Sequence, residues 1–238
     1  MTPDAVVRLV AGRCLQYPDA RLREDLPRLD EALAGAATQQ AALLRQFLDH
    51  ARVVPEIELA AHYTDTFDTR NRRCLYLTWW TDGDTRNRGL SLVRIKRIYR
   101  DFGLEFASDE LPDFLPVALE FAALHPEAGT ELLQEHRAGL ELLRLAVTEA
   151  NTPYARVLEA VCATLPGASP QTKAEAKALA RSGPPRETVG MDTAGMEPLG
   201  PGVELPWPTV AKSAGPAVTK SPGPHEPTVA KSPERTPA

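Results

Sequence analysis

The sequence is poor in the residues from which catalytic and metal centres are built. Its 238 residues include three cysteines, Cys14, Cys74 and Cys162, far apart and without a CxxC pair. An odd, scattered set argues against a disulfide framework and for a reducing compartment, so a cytoplasmic location is expected. The five histidines form no HExxH and none stands at ligand spacing from a cysteine; no metal site is expected. GxSxG, P-loop and GxGxxG motifs are all missing, which removes the commonest signatures of hydrolases and nucleotide binders. No window approaches the ~20 apolar residues of a membrane helix, so no direct membrane insertion is expected. Asp4, Arg8 and Arg13 interrupt the apolar stretch at the N-terminus, which therefore does not read as a signal peptide. A basic excess is missing too: the formal net charge is -5. Without an RRM, KH or zinc-finger signature, such a chain is not by default a nucleic-acid binder.

What is present is helical periodicity. Hydrophobic residues make up 43% of the chain, enough for one domain with a real core. Thr2-Pro3, Asp19, Thr38 and Pro55 each stand where a helix can start, ahead of apolar residues at helical spacing. Pro27 should kink or split the second helix. Leu59, Tyr63 and Phe67 share one face of the fourth. Leu75 to Trp80 is too short for its period to decide, and helix is expected because no second strand exists to pair with it. A basic helix with Leu92, Ile95, Tyr99 and Phe102 inward ends at Gly103. Further helices are expected from Pro112 or Asp113, from about Pro126 to Ala150, and from Thr152-Pro153. The expectation is an all-α domain over 1–167, a weak solvent-facing helix or linker over 168–182, and a disordered Pro-rich tail over 183–238. The tail repeats P-x-V-x-K-S at Pro208, Pro216 and Pro227 and has too few apolar residues to offset its ordering entropy.

The chemistry concentrates between Tyr63 and Phe121. Aromatic residues crowd this stretch, arginines lead it and acids follow. Asp109, Glu110 and Asp113 form a carboxylate cluster around Pro112, which suits a helix start as well as it suits acid–base catalysis. Arg94, Arg97 and Arg100 lie close to one side of a helix. They form either a solvated face paired with neighbouring acids or a patch for an anion such as nucleic acid. Trp79 and Trp80 point about 100° apart on a helix, so one of them should reach the surface, where aromatics anchor partners.

Four segments carry a resemblance: Tyr63-Thr64-Asp65-Thr66-Phe67-Asp68, Leu75-Tyr76-Leu77-Thr78, Gly83-Asp84-Thr85-Arg86 with Arg88-Gly89, and Glu110-Leu111-Pro112-Asp113 running into Leu119-Glu120-Phe121. In this order they resemble the NarJ-type nitrate reductase assembly chaperones, a branch of the TorD-like family of redox-enzyme maturation proteins, over roughly Val6 to Leu165. The resemblance implies an all-helical TorD-like bundle without enzymatic activity. It implies a system-specific chaperone that binds the apo catalytic (alpha) subunit of nitrate reductase, alone or in the alpha-beta complex, through its N-terminal segment. It also implies help with inserting the partner's molybdenum cofactor, bis-molybdopterin guanine dinucleotide, before membrane attachment, and no permanently bound cofactor. Partner-peptide binding is expected at Tyr63, Phe67, Asp68, Tyr76, Trp80, Arg88, Glu110, Pro112, Asp113 and Glu120. Tyr63, Phe67 and Tyr76 should form an apolar wall, with Glu110 and Asp113 at the rim. The wider family often has His after the Pro-Asp pair. Here Phe114 stands there, so no proton-transfer role is expected of that position.

Overall fold

A computed structural model describes residues 1–69, 71–104 and 110–182, all helix and connecting segments without a β-strand among them. The chain divides into two units, Met1–Thr188 and Val189–Ala238, and everything described belongs to the first. The expected Pro-rich tail and its repeats lie outside the described residues.

Three helix starts follow the caps legible in the sequence. Thr2 caps α1 (Pro3–Cys14), Asp19 caps α2 (Ala20–Ala34) and Thr38 caps α3 (Gln39–Val53), each side chain accepting a first-turn N–H at 3.2 Å. Pro27 does not split α2. It and Arg23, four residues earlier, are both exposed, so water can serve the carbonyl that the proline leaves without a donor.

The remaining helices are α4 (Glu56–Tyr63), α5 (Leu77–Asp82), α6 (Arg86–Asp101), α7 (Leu115–Leu124), α8 (Pro126–Glu135), α9 (Arg137–Glu149), α10 (Tyr154–Cys162) and α11 (Lys173–Ser182). The apolar α7 runs through the middle, packed on α1 and α8, while α10 packs on α3 and α9. Buried Arg8 ties these layers together, donating to Thr164, Thr130 and the Ala122 carbonyl. In α6, Ile95 and Tyr99 are buried as expected, but Phe102, just past its end, remains 45% exposed.

Gly129 marks the closest helix contact. A Cβ there would fall 2.2 Å from Ala122 Cα on α7, against backbone that cannot yield alone. Gly129→Ala would gain up to about 1 kcal/mol of helix propensity. It is nevertheless expected to destabilise by about 1–2 kcal/mol net, because overpacking costs about 1–3 kcal/mol and here two helices must part. A urea midpoint equal to or above that of the parent would contradict this.

Other expectations are corrected. The long helix expected over 126–150 is two helices. The backbone breaks at His136 (φ -100, ψ 11), with no glycine or proline to announce it. Helix α7 starts at Leu115 rather than at Pro112 or Asp113, and the helix expected from Leu75 starts only at Leu77 with Tyr76 extended, because the chain before α7 pairs with 75–77. Leu77 N donates to Asp113 O at 2.9 Å and Leu115 N to Leu75 O at 2.8 Å, which makes a single antiparallel bridge of Tyr76 and Phe114. Finally, α11 is not a free solvent-facing helix. It packs on α9 through Ala176, which is fully buried, and Lys173 pairs with Glu149 at 2.6 Å.

The segment leading to α11 is clasped by a buried triad. Glu141 holds Arg137 and Arg144 at 3.2 and 2.7 Å, and the two arginines donate to the carbonyls of Pro166, Gly167 and Pro170. Truncation after Ser182 should therefore leave the thermal midpoint unchanged. Truncation after Gly167 takes Pro170 from Arg144 and uncovers α9. It should lower the midpoint by about 3 °C or more, on the scale of about 2–4 °C per kcal/mol for a chain of this size. Equal midpoints for the two truncations would show that α11 adds nothing.

Candidate functional site

Helix α4 does not stop at Tyr63 but loosens into a π turn over Thr64–Asp68, a distortion common at functional sites. The turn carries Phe67 inward and Asp68 outward. Tyr63 (5% exposed) and Phe67 (6%) form an aromatic cluster with Tyr154, the two rings 5.0 Å apart. Tyr63 Oη donates to the Leu15 carbonyl at 3.0 Å, and Tyr17 meets the Tyr63 ring edge-on at 5.6 Å. These two residues therefore belong to the core.

Above them lies a cavity of about 270 Å³ lined by Tyr17, Tyr63, Phe67, Asp68, Cys74, Leu75, Tyr76, Glu110 and Phe114. The Tyr76–Phe114 bridge forms one wall, with ring centroids 5.4 Å apart. Tyr76 Oη donates to Glu110 Oε1 at 2.8 Å, and that oxygen also accepts from Leu111 N at 3.0 Å. The Arg88 guanidinium lies 5.7 Å from the Tyr76 ring centroid, in cation–π range. Burial, aided by the Glu110 contact, pushes the Tyr76 phenol well up, and burial does the same to Tyr63. Desolvation raises the Asp68 carboxyl and the Cys74 thiol. The result is an aromatic recess with two carboxylates at its rim. It can take an apolar side chain of an extended or helical peptide and meet basic neighbours.

Tyr63, Phe67, Asp68, Tyr76 and Glu110 thus line one cavity, and Arg88 leans on its wall. The other expected residues lie elsewhere. Asp113 is not at the rim: it is fully buried, and one carboxylate oxygen accepts from both Thr78 N, at 3.1 Å, and Thr78 Oγ1. Arg88 stands 4.0 Å from the same oxygen. Asp113 caps the first turn of α5 from another segment, where a carboxylate suits both the free N–H groups and the helix dipole. Pro112 is buried, its carbonyl held by Tyr99 Oη at 2.8 Å. Trp80 donates to the Cys74 carbonyl at 3.0 Å and packs on Gly139, where a Cβ would fall 2.4 Å from Trp80 Cβ. It fastens α5 to α9. Glu120 is exposed beside a different cavity, with Arg13 and Arg28. Because Asp113 does not reach the recess, the Glu110–Asp113 pair needed for acid–base catalysis is not assembled there.

Sequence reasoning missed Tyr17, Cys74, Leu75 and Phe114. Leu75 and Phe114 could have been found from the Tyr76 segment had its strand-like pairing been anticipated. Tyr17, in the connection between α1 and α2, gave no local signal. On α6, Arg94 pairs with Glu135 and Arg97 with Asp101 at 3.9 Å, which is the solvated, ion-paired face.

The family model "Nitrate reductase delta subunit" matches residues 23–160, from α2 through α10. The chain belongs to the nitrate reductase delta subunit family. This family chain is 43% identical over 160 residues to the nitrate reductase-like protein NarX of Mycobacterium tuberculosis strain H37Rv, covering 67% of this chain but only 24% of that protein. It thus spans about a quarter of that relative. The probable nitrate reductase molybdenum cofactor assembly chaperone NarJ of Bacillus subtilis is 32% identical over 168 residues, covering 69% of this chain and 91% of that one. Its Escherichia coli K12 counterpart is 30% identical over 151 residues, covering 62% and 64%. A crystal structure described as a redox enzyme maturation protein of Archaeoglobus fulgidus superposes with a TM-score of 0.51 at 24% identity, covering 67% of this chain and 91% of that one. That likeness shows a shared helical fold.

Proposed function

We propose that this chain is a system-specific assembly chaperone for a respiratory nitrate reductase. It captures the N-terminal segment of the apo catalytic subunit and holds the subunit, alone or in the alpha-beta complex, in the cytoplasm. The partner's bis-molybdopterin guanine dinucleotide cofactor is then inserted before membrane attachment, with none kept by the chaperone itself. The names of the Bacillus subtilis and Escherichia coli relatives support the assembly role. The observation that carries the reading is the aromatic recess of Tyr17, Tyr76 and Phe114 with Asp68 and Glu110 at its rim. Such a recess suits peptide capture, in which buried aromatic contact provides affinity and rim charge sets specificity and on-rate.

The test is calorimetric titration of the chain with the N-terminal peptide of the catalytic subunit, together with co-purification of the apo subunit. Failure of both would overturn the proposal. Glu110→Gln with Asp68→Asn probes the rim, since Asp68 is exposed, Glu110 is half-buried, and the changes keep size and an acceptor oxygen for Tyr76 Oη and Leu111 N. At about 0–1 kcal/mol for each exposed charge, the double variant should weaken peptide binding about threefold at low salt and less at high salt. Unchanged affinity at low salt, with unchanged circular dichroism, would move the peptide to another surface. Asp113→Asn cannot serve here, because that carboxylate is buried.

A further inference from the structure

A second and larger cavity, of about 1210 Å³, shares no lining residue with the aromatic recess. It lies between the α5–α6 corner and one face of α8. Helix α8 presents Glu127, Thr130, Glu131 and Gln134 to it, at i, i+3, i+4 and i+7, and Asp82 and Arg94 face it from α5 and α6. Four carboxylates, Asp82, Glu127, Glu131 and Glu135, thus meet one arginine. Arg94 pairs with Glu135, and that bridge is open to solvent, with side chains 54% and 37% exposed. The other three carboxylates have no ion-pair partner among the described residues.

The wall holds an independent sign of a binding site. His136, which lines the cavity, is 6% exposed, and neither ring nitrogen has a hydrogen-bond partner among the described residues. Asp82 Oδ2 is likewise buried and unpartnered. Orphaned buried polar groups are costly and are normally satisfied. Burial keeps the His136 ring neutral, so it offers one acceptor nitrogen. Together with Asp82 Oδ2, the orphaned groups are two acceptors and one donor, the second His136 nitrogen. An incoming cation can compete with Arg94 for Glu135, since an exposed bridge is weakly held. Opening that bridge would bring the donors of a Lys or Arg side chain toward both orphaned acceptors.

We infer that this cleft is a binding site for a basic polypeptide segment, one carrying lysine or arginine at several positions along an extended chain. Charge selects the ligand: anionic segments meet three unpaired carboxylates, whereas cationic ones neutralise them. The length of the α8 face and the cavity volume favour a peptide over a single ion, and among the described residues no cluster of His, Cys, Asp and Glu could hold a metal. The inference does not rest on the proposed chaperone function, because the two sites are lined by different residues.

The experiment is fluorescence anisotropy with a labelled peptide alternating lysine and alanine, titrated into the full chain at low ionic strength. Glu127→Gln with Glu131→Gln is compared with Glu24→Gln and Glu31→Gln, an exposed pair on α2 that changes net charge equally. The cleft variant should bind about threefold to tenfold more weakly, and the α2 variant within about twofold of the parent. Equal weakening by the cleft and α2 variants would mean that the acidic chain attracts the peptide without a site, and would overturn the inference. So would undiminished binding to the cleft variant, or no binding to the parent.

Discussion

Asp113→Ala should destabilise the fold by about 3–5 kcal/mol, the range for removing one member of a buried charged contact. The carboxylate is fully buried and accepts from the backbone and hydroxyl of Thr78 while Arg88 stands 4.0 Å away. Hydrogen bonds to a charged group contribute about 1.5–3 kcal/mol each, so the two from Thr78 account for the lower end without the ion pair. Alanine would leave Thr78 N unpaired at the start of α5 and Arg88 without its nearest carboxylate. The peptide recess should suffer indirectly, because Tyr76 immediately precedes α5 and its ring packs on Phe114, next to Asp113. Urea unfolding of parent and variant measures the loss. A difference below about 1 kcal/mol would show that Asp113 is not the anchor of α5, since only a solvated contact is worth so little.

The second large effect is a loss of stability on mild acidification, centred on His136. Burial, reinforced by the positive charge of Arg94, lowers this imidazole to about 4, with Asp82 acting in the opposite direction. The sign follows from linkage. Between the ordinary value of 6.5 and about 4, the unfolded chain binds a proton there that the folded chain refuses. Stability therefore rises with pH through that window and is lost as pH falls through it. At about 1.4 kcal/mol per pKa unit, the contribution at neutral pH reaches about 3 kcal/mol. It should be fully present above pH 6.5 and gone near pH 4. An NMR titration of the His136 ring reads the site directly, and urea midpoints for the parent and His136→Gln read its share of the slope. A His136 ring titrating at or above 6.5 would remove the effect.

Much of the helical order was legible along the chain because its determinants are local. Thr2, Asp19 and Thr38 cap as their side chains allow, and Gly103 ends α6 with a positive φ of 75. The motifs around Tyr63, Tyr76 and Glu110 do meet at one cavity. Asp113 was misplaced for a physical reason. A carboxylate near a helix start is usually solvated, and nothing in its neighbourhood says that a helix 35 residues away in sequence will draw it inside. The break at His136 was invisible for the same kind of reason. No residue there forbids a continuous helix, and α8 and α9 part where each packs on different neighbours.

By itself the sequence determined the all-α class, the helix caps, the missing catalytic and metal signatures and the family motifs. Each of these depends on residue type and on spacing within a few turns. The tertiary structure alone decided which charges stay in water. It buried Asp113 and His136, set Glu110 and Asp68 at a rim, turned Glu120 to another cavity, and brought Tyr17 against Tyr63. Those outcomes depend on which helices meet. A carboxylate beside Thr78 in a dry interface and a carboxylate beside Tyr76 at the surface are the same chemical group, and only their desolvation separates an anchor of the fold from a contact for a partner.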